Sequence, residues 1–345
     1  MPPPSAAGHE VVLTAAGGRL RALESDPMTG SSAPDQPVPV VLDCDPGHDD
    51  VFAIWLAAAH PAIDLRAVTT VAGNGLLEHT TRNALIACTV AGIADVPVAA
   101  GAEGPLAGPL RPAVDIHGHD ALGGPELPEP TVPLDPRPAA ELTADVLLGA
   151  DEPVTWIATG PLTNVALLVR ERPELLERVA RLVWMGGSTG RGNTTPYAEF
   201  NAWTDPEAVD VVLRSGLDVT MVGLNISHQA LATRPVRERV AATGTRTGRF
   251  GAELLDYFSH AYETAQQMPD GPLHDPITVA LVADPAVATT ARARIDVELA
   301  GTETRGATSV DLNGTLGREP NATVALELDV DRFWHLITDA VAALA

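Results

Sequence analysis

The sequence predicts an α/β protein: one large, doubly wound and mostly parallel sheet flanked by helices, with a small additional β segment near the C-terminus. Three observations carry this. From Val38 onward, short β-branched runs alternate with longer helical patterns. The β runs are apolar on both faces, as happens when helices cover both sides of a parallel sheet. With 345 residues, 45% of them hydrophobic, the chain is also long enough for one large core.

In order, the strand "VPVVLD" leads to the helix "DDVFAIWLAAAH", the strand "LRAVTTVAG" to the helix "LEHTTRNALIACTVAG", and "VPVAAG" closes the first half. Residues 102–137 read as loop and end in the proline-rich "PELPEPTVPLDPRP". The alternation resumes with "VTWIAT", the single long helix "LTNVALLVRERPELLERV", then "RLVWMGG", "DPEAVDVVLRSG" and "DVTMVGL". A second irregular stretch, "GGSTGRGNTTPYAEF", follows the strand "RLVWM". Beyond residue 230 come "RFGAELLDYFSHAYETAQQ" and "DPITVALVA" as helices, then the β runs "ARIDVELAG", "GATSVDL" and "ATVALELDV". The helix "DRFWHLITDAVAALA" closes the chain. Residues 1–37, rich in Pro, Ala, Gly and Ser, read as a disordered leader, and residues 38–345 as one domain. Met28 offers an alternative start that would remove the first 27 residues.

The formal net charge of -23 would repel a phosphate backbone, which argues against nucleic acid as a partner. All 22 basic residues are Arg, so no mechanism that needs a lysine is available. Two cysteines, Cys44 and Cys88, are too few for a disulfide framework or a cysteine zinc site. No apolar run is long enough to span a membrane, and no basic-then-apolar leader is present, so the expectation is a cytoplasmic protein without membrane contact.

The chemistry concentrates in "VVLDCDPGHDD", Val40 to Asp50, where Asp43, Asp45, Asp49 and Asp50 crowd behind an apolar strand. Like charges this close repel and resist burial. A helix start favours one acid by its dipole, which would account for Asp49 alone. Four acids exceed that need and point to a hard divalent cation. An EF-hand loop beginning at Asp43 fails, because its sixth position is His48 where glycine is required and its twelfth is Ile54 where glutamate is required. A haloacid dehalogenase type of phosphatase also begins with a strand and Asp-x-Asp, but that chemistry usually needs a lysine.

The later motifs decide between these. In order, "LDCDPGHDD", "TTVAGN", "DIHG", "TGPLTN", "MGG…GNTTPYAEFN", "DPEA" and "HDP" cover Val40 to about Asp275. The chain resembles the nucleoside hydrolases of the inosine-uridine preferring type. The resemblance implies a calcium ion held by Asp45, Asp50, Asp275 and the backbone carbonyl of Thr159, all oxygen donors. It places Asp49 on the ribose 2′ hydroxyl, and Asn74, Asn193, Glu199 and Asn201 on the remainder of the sugar. Asp43 supports its neighbours.

The reaction so implied is hydrolysis of the N-glycosidic bond of a ribonucleoside through an oxocarbenium-like state. Asp45 is then the general base toward water, and His274 the acid on the side of the leaving base. His117 lines the same pocket. Phe258 and Tyr262, one helical turn apart, offer an aromatic face to the base, although on spacing alone a core stripe reads equally well. By itself Asn74 or Asn193 would be read as a turn residue, and "DPEA" as a helix start capped by Asp205. His48 leans the reading toward uridine and cytidine over inosine, and "HGHDALGG" departs from the family's usual segment after His-Gly. By analogy the protein is a homo-oligomer, a dimer or tetramer. A silent nucleoside- or calcium-binding protein on the same fold stays open as an alternative.

Overall fold

The computed structural model describes residues 36–344. The expected leader falls almost wholly outside the described residues, and Met28 with it. Nine strands form one sheet: β1 (Val38–Cys44), β2 (Ile63–Thr70), β3 (Val98–Ala100), β4 (Val154–Ala158), β5 (Val179–Met185), β6 (Val219–Val222), β7 (Ala288–Val297), β8 (Thr308–Asp311) and β9 (Ala322–Leu328). Their spatial order is β3-β2-β1-β4-β5-β6-β9-β7-β8. Strands β1 to β6 and β9 run parallel, while β7 is antiparallel to β9 and β8 to β7. The C-terminal β segment therefore continues the main sheet at one edge.

The helices are α1 (His48–Ala59), α2 (Leu77–Ala91), α3 (Val114–His117), α4 (Ala139–Gly149), α5 (Thr163–Glu171) and α6 (Phe200–Thr204), followed by α7 (Pro206–Leu213), α8 (Leu224–Ser227), α9 (Arg234–Ala241), α10 (Arg246–Gln266), α11 (Pro276–Ala283) and α12 (Val330–Ala343). They cover both faces of the sheet. Strand β1 shows why both must be covered: Val40, Leu42 and Cys44 join the core beneath α1, α2, α11 and α12, while Val41 joins the core beneath α4, α5 and α7. Trp55, Phe333 and Trp334 anchor the first core, and Trp156 and Trp184 the second.

Two elements differ from the sequence reading. The long helix after "GPLTN" breaks: α5 stops at Glu171, and Pro173–Arg178 form a separate 3-10 helix. Proline at 173 forces this, since it disfavours α geometry at Arg172, which adopts φ -136 and ψ 53. Helix α4 was not foreseen beside the proline-rich loop. Its Leu142 and Leu147 carry an apolar face into the second core, and the preceding prolines mask that short period. Among the described residues, no helix is long and apolar enough to cross a membrane.

Candidate active site

The winding of the sheet reverses between β1 and β4, and open α/β sheets leave a crevice at that point beyond the strand ends. The acidic cluster enters this crevice as β1 ends at Cys44. Gly47 caps α1, and Asp50 reaches back so that its Oδ2 accepts from the Gly47 N–H at 2.9 Å. From the end of β4, the Thr159 hydroxyl donates to Asp50 Oδ1 at 2.8 Å. The Asn74 backbone N–H donates to Asp45 Oδ2 at 2.7 Å, which leaves Asp45 Oδ1 buried without a hydrogen-bond partner. Two motif glycines make room for this carboxylate. A Cβ at Gly73 would lie 2.1 Å from Asp45 Oδ2, and one at Gly160 2.7 Å from Oδ1.

Carboxylate oxygens of Asp49, Asp50 and Asp275 lie within 4.8 Å of one another, all buried. Sequence reasoning places Asp45, rather than Asp49, with Asp50 and Asp275; the structure puts Asp49 into the tight trio. Burial and the neighbouring charges raise Asp45 and Asp275 well above the usual carboxylate range, and Asp49 to about 7. A cation is the group that offsets such repulsion. The donors fit a hard one: they are all oxygen, the Asp45 Oδ1 is unpartnered, and the Thr159 carbonyl accepts only from Asn201 Nδ2, at 2.7 Å. Asp43 stands behind the cluster. Its Oδ1 accepts from Thr69 Oγ1 at 2.6 Å and Asn164 Nδ2 at 2.7 Å, and its carbonyl accepts from the Thr159 N–H at 2.8 Å. Asn164 belongs to the quoted "GPLTN", yet nothing in the sequence alone joins it to Asp43.

A cavity of ≈ 370 Å³ is lined by Asp49, Thr159 and Asp275 of this cluster. Asn74, Asn193, Glu199 and Asn201 line it too. Each is held by backbone. Glu199 caps α6, accepting from Asn201 N at 2.9 Å and Ala202 N at 3.1 Å, and it also takes the Gly187 N–H at 2.8 Å. Burial still raises Glu199 to about 7. Asn193 Oδ1 accepts from the Phe200 N–H at 3.0 Å, and Asn201 Nδ2 also donates to the Met185 carbonyl at 3.0 Å.

The cavity lining also includes two imidazoles. His274 meets the Tyr262 hydroxyl through Nε2 at 2.7 Å and Ser227 Oγ through Nδ1 at 2.7 Å. Burial lowers its pKa well below the ordinary histidine value, so the ring is neutral. His117 is likewise buried, and burial lowers its pKa well below the ordinary histidine value. Tyr262, His117 and His274 line the cavity; Phe258 does not. Phe258 is instead a core residue, packed edge-on to Tyr262 at 4.8 Å between ring centroids and facing His48 at 5.3 Å. Of the two aromatic residues offered to the base, only Tyr262 lines the cavity, because Phe258 sits one turn back, against His48. Ser227, Arg111 and Trp203 were not anticipated; the last two line the cavity, with the Arg111 guanidinium over the Trp203 ring at 5.4 Å.

Residues 40–335 match the family described as "Inosine-uridine preferring nucleoside hydrolase". The chain belongs to this family. Its similarity to curated members spans nearly their full length. A "Pyrimidine-specific ribonucleoside hydrolase RihA" of Escherichia coli (strain SMS-3-5 / SECEC) is 45% identical over 303 residues, 88% of this chain and 97% of the relative. An "Inosine-uridine preferring nucleoside hydrolase" of Leishmania major is 44% identical over 307 residues, 88% and 98% of the two chains. Among solved structures, a "Purine-Preferring Ribonucleoside Hydrolase from Gardnerella vaginalis" superimposes with a TM-score of 0.82 at 31% identity, covering 88% of this chain and 98% of that one. As a nucleoside hydrolase, the protein is an N-glycosidase, and the phosphatase alternative falls away.

Proposed function

We propose that this nucleoside hydrolase is calcium-dependent and prefers pyrimidine ribonucleosides, converting uridine or cytidine and water to ribose and free base. The observation that carries the reading is that one cavity is lined both by buried carboxylates, Asp49, Glu199 and Asp275, and by His117, His274 and Tyr262. Asp45, Asp50, Asp275 and the Thr159 carbonyl would hold the cation, with Asp49 at its edge and on the ribose. Bound there, calcium would offset the repulsion among the carboxylates and make a water more acidic.

In the reaction the C1′–N bond breaks as a C1′–O bond to water forms. Asp45 takes the water's proton through its free Oδ1; a carboxylate whose buried setting raises its proton affinity suits that task. Asp49 and the backbone-held Glu199, Asn193 and Asn201 fix the sugar and put oxygens beside the positive charge that develops on it. The departing base needs a proton. Both ring nitrogens of His274 are taken, so its proton reaches the base either by way of the Tyr262 hydroxyl or after Tyr262 turns aside.

Support for pyrimidines comes from the name of the RihA relative and from His48 within the acidic motif. The test is ribose release from uridine, cytidine, inosine and adenosine, each with calcium and after thorough chelation. Faster release from the pyrimidines, lost on chelation and restored by calcium, is expected. Preference for inosine overturns the base assignment, metal-independent release overturns the calcium assignment, and no release from any of them favours a binding protein.

A further inference from the structure

The β run "GATSVDL" has no part in the roles given above, yet it reaches the residues assigned to the sugar. Strand β8 is the last in the sheet, and β6, β9 and β7 lie between it and β5. Even so, Thr308 at the start of β8 holds the turn that follows β5. Its hydroxyl accepts from the Ser188 N–H at 2.8 Å and donates to the Ser188 carbonyl at 2.7 Å. One side chain thus satisfies both backbone groups of a buried residue far away in sequence. Without that hydroxyl the two groups are left buried and unpaired, and the turn must move to reach water.

Ser188 follows Gly187, whose N–H donates to Glu199 Oε2 at 2.8 Å. The other donors to this carboxylate, the N–H groups of Asn201 and Ala202, belong to α6, the helix that Glu199 itself caps. Gly187 therefore supplies the contact that fixes the carboxylate from outside its own helix. It adopts φ +69, and a Cβ there would lie 2.9 Å from both Thr308 Cγ2 and Met221 Sδ, so the turn is fitted closely against Thr308. Its incoming side is tied elsewhere: the Gly186 N–H donates to the Val222 carbonyl at 3.1 Å, and the Gly187 carbonyl accepts from the Leu224 N–H at 3.0 Å. Thr308 ties the outgoing side.

The same β7–β8 hairpin also meets α6 and α7. A Cβ at Gly306 would lie 2.7 Å from Trp203 Cα, and Arg305 Nη2 donates to both carboxylate oxygens of Glu207, at 2.6 and 2.7 Å. The hairpin thus touches both structures that hold Glu199, the turn after β5 and the helix it caps.

We propose that Thr308 is a positioning residue: by fixing Ser188 it aims the Gly187 N–H at Glu199 and so sets the carboxylate that holds the ribose. The proposal rests on the reading that Glu199 binds the sugar, and not on the base preference or the calcium ligands.

The test is a double-mutant cycle in kcat/KM, with calcium present, on p-nitrophenyl riboside and on the ribonucleoside that is cleaved fastest. Thr308→Val keeps the shape and removes the hydroxyl; a loss of about tenfold, alike on both substrates, is expected, the size of one lost hydrogen bond. Thr308→Ser keeps the hydroxyl and should recover most of it. Glu199→Ser can still cap α6 but cannot reach Gly187. In that impaired background, assayed at raised enzyme concentration, Thr308→Val should cost about twofold or less, because the group it serves is gone. Hydrogen–deuterium exchange across residues 186–190 should be faster in Thr308→Val than in Thr308→Ser.

A tenfold loss that persists in Glu199→Ser overturns the proposal, as do unchanged exchange and a Thr308→Ser variant no better than Thr308→Val. A harmless Thr308→Val beside an impaired Glu199→Ser overturns the proposal alone. A harmless Glu199→Ser removes the reading beneath it as well, so the two failures are distinct. Should Thr308→Val fail to fold, Thr308→Ala takes its place in the cycle.

Discussion

The acid and imidazole parts of the cavity are built in opposite ways. The acid part comes mostly from one stretch, Asp43 to Asp50, closed by Asn74, Thr159 and Asp275 around the ends of β1 and β4. The imidazole part is gathered from three distant places: His117 on α3, Tyr262 on α10 and His274 just before α11. One part stores repulsion among charges that a cation can relieve. The other holds buried rings tied by hydrogen bonds, His274 to Tyr262 and to Ser227. On the proposed function, water activation and sugar binding fall to the first and the leaving base to the second.

Breaking the acid end should therefore harm every substrate alike. Asp45→Asn keeps the volume but removes the proton acceptor, and a loss in kcat of about a thousandfold or more is expected on uridine and p-nitrophenyl riboside together, with circular dichroism unchanged. Near-wild-type turnover would remove Asp45 from its role. Gly73→Ala attacks the same carboxylate sterically, since the added Cβ would meet Asp45 Oδ2 at 2.1 Å. Its expected cost is about a hundredfold in kcat/KM, again on both substrates, because a small misplacement of a reacting group has effects of that order. Retained activity would mean that the carboxylate can move without penalty.

Tyr262→Phe sharpens the comparison from the other side. It deletes the hydroxyl on His274 Nε2 and should slow uridine about tenfold while sparing p-nitrophenyl riboside, as steady-state kinetics on the two would reveal. Equal slowing would place Tyr262 with the sugar instead.

The smallest effect is on stability. Asp43 and Asp49 rise from 3.8 to about 7 in the folded chain, and Asp45 and Asp275 also rise well above the usual carboxylate range. Folding thus favours their protonated forms, and that contribution is lost as pH rises through the folded values. The buried histidines act in the opposite sense, but only below about pH 6.5, where the unfolded chain binds their protons. Between pH 6.5 and 8 the carboxylates alone decide. The melting temperature of the chelated protein should fall across that window, and calcium should restore most of the loss at pH 8. A flat or rising curve would contradict the raised values.

Legibility in the sequence followed this same division. The alternation of β runs and helices exposed the sheet because each strand's two faces are apolar, and the acid cluster was visible because its charges are contiguous. Pro173 hid a helix break within an otherwise periodic run, and the short apolar period of α4 was lost behind prolines. At the imidazole end, His274 stood out only beside Asp275. Ser227 gave no signal in "LNISHQ", because its role exists only once α8 meets the segment before α11. The His48–His117 contact joins residues 69 apart and depends on where the Gly123 carbonyl falls, which no local pattern encodes.

His274→Ala tests the division of labour most directly, with kcat/KM measured on uridine and on p-nitrophenyl riboside side by side. Uridine needs its departing base protonated and p-nitrophenolate does not, so a loss of about a hundredfold or more on uridine and a change of only a few-fold on the nitrophenyl substrate is expected. Equal losses on both would mean that the imidazole end serves the sugar or the fold, and the assignment of the two ends would fail.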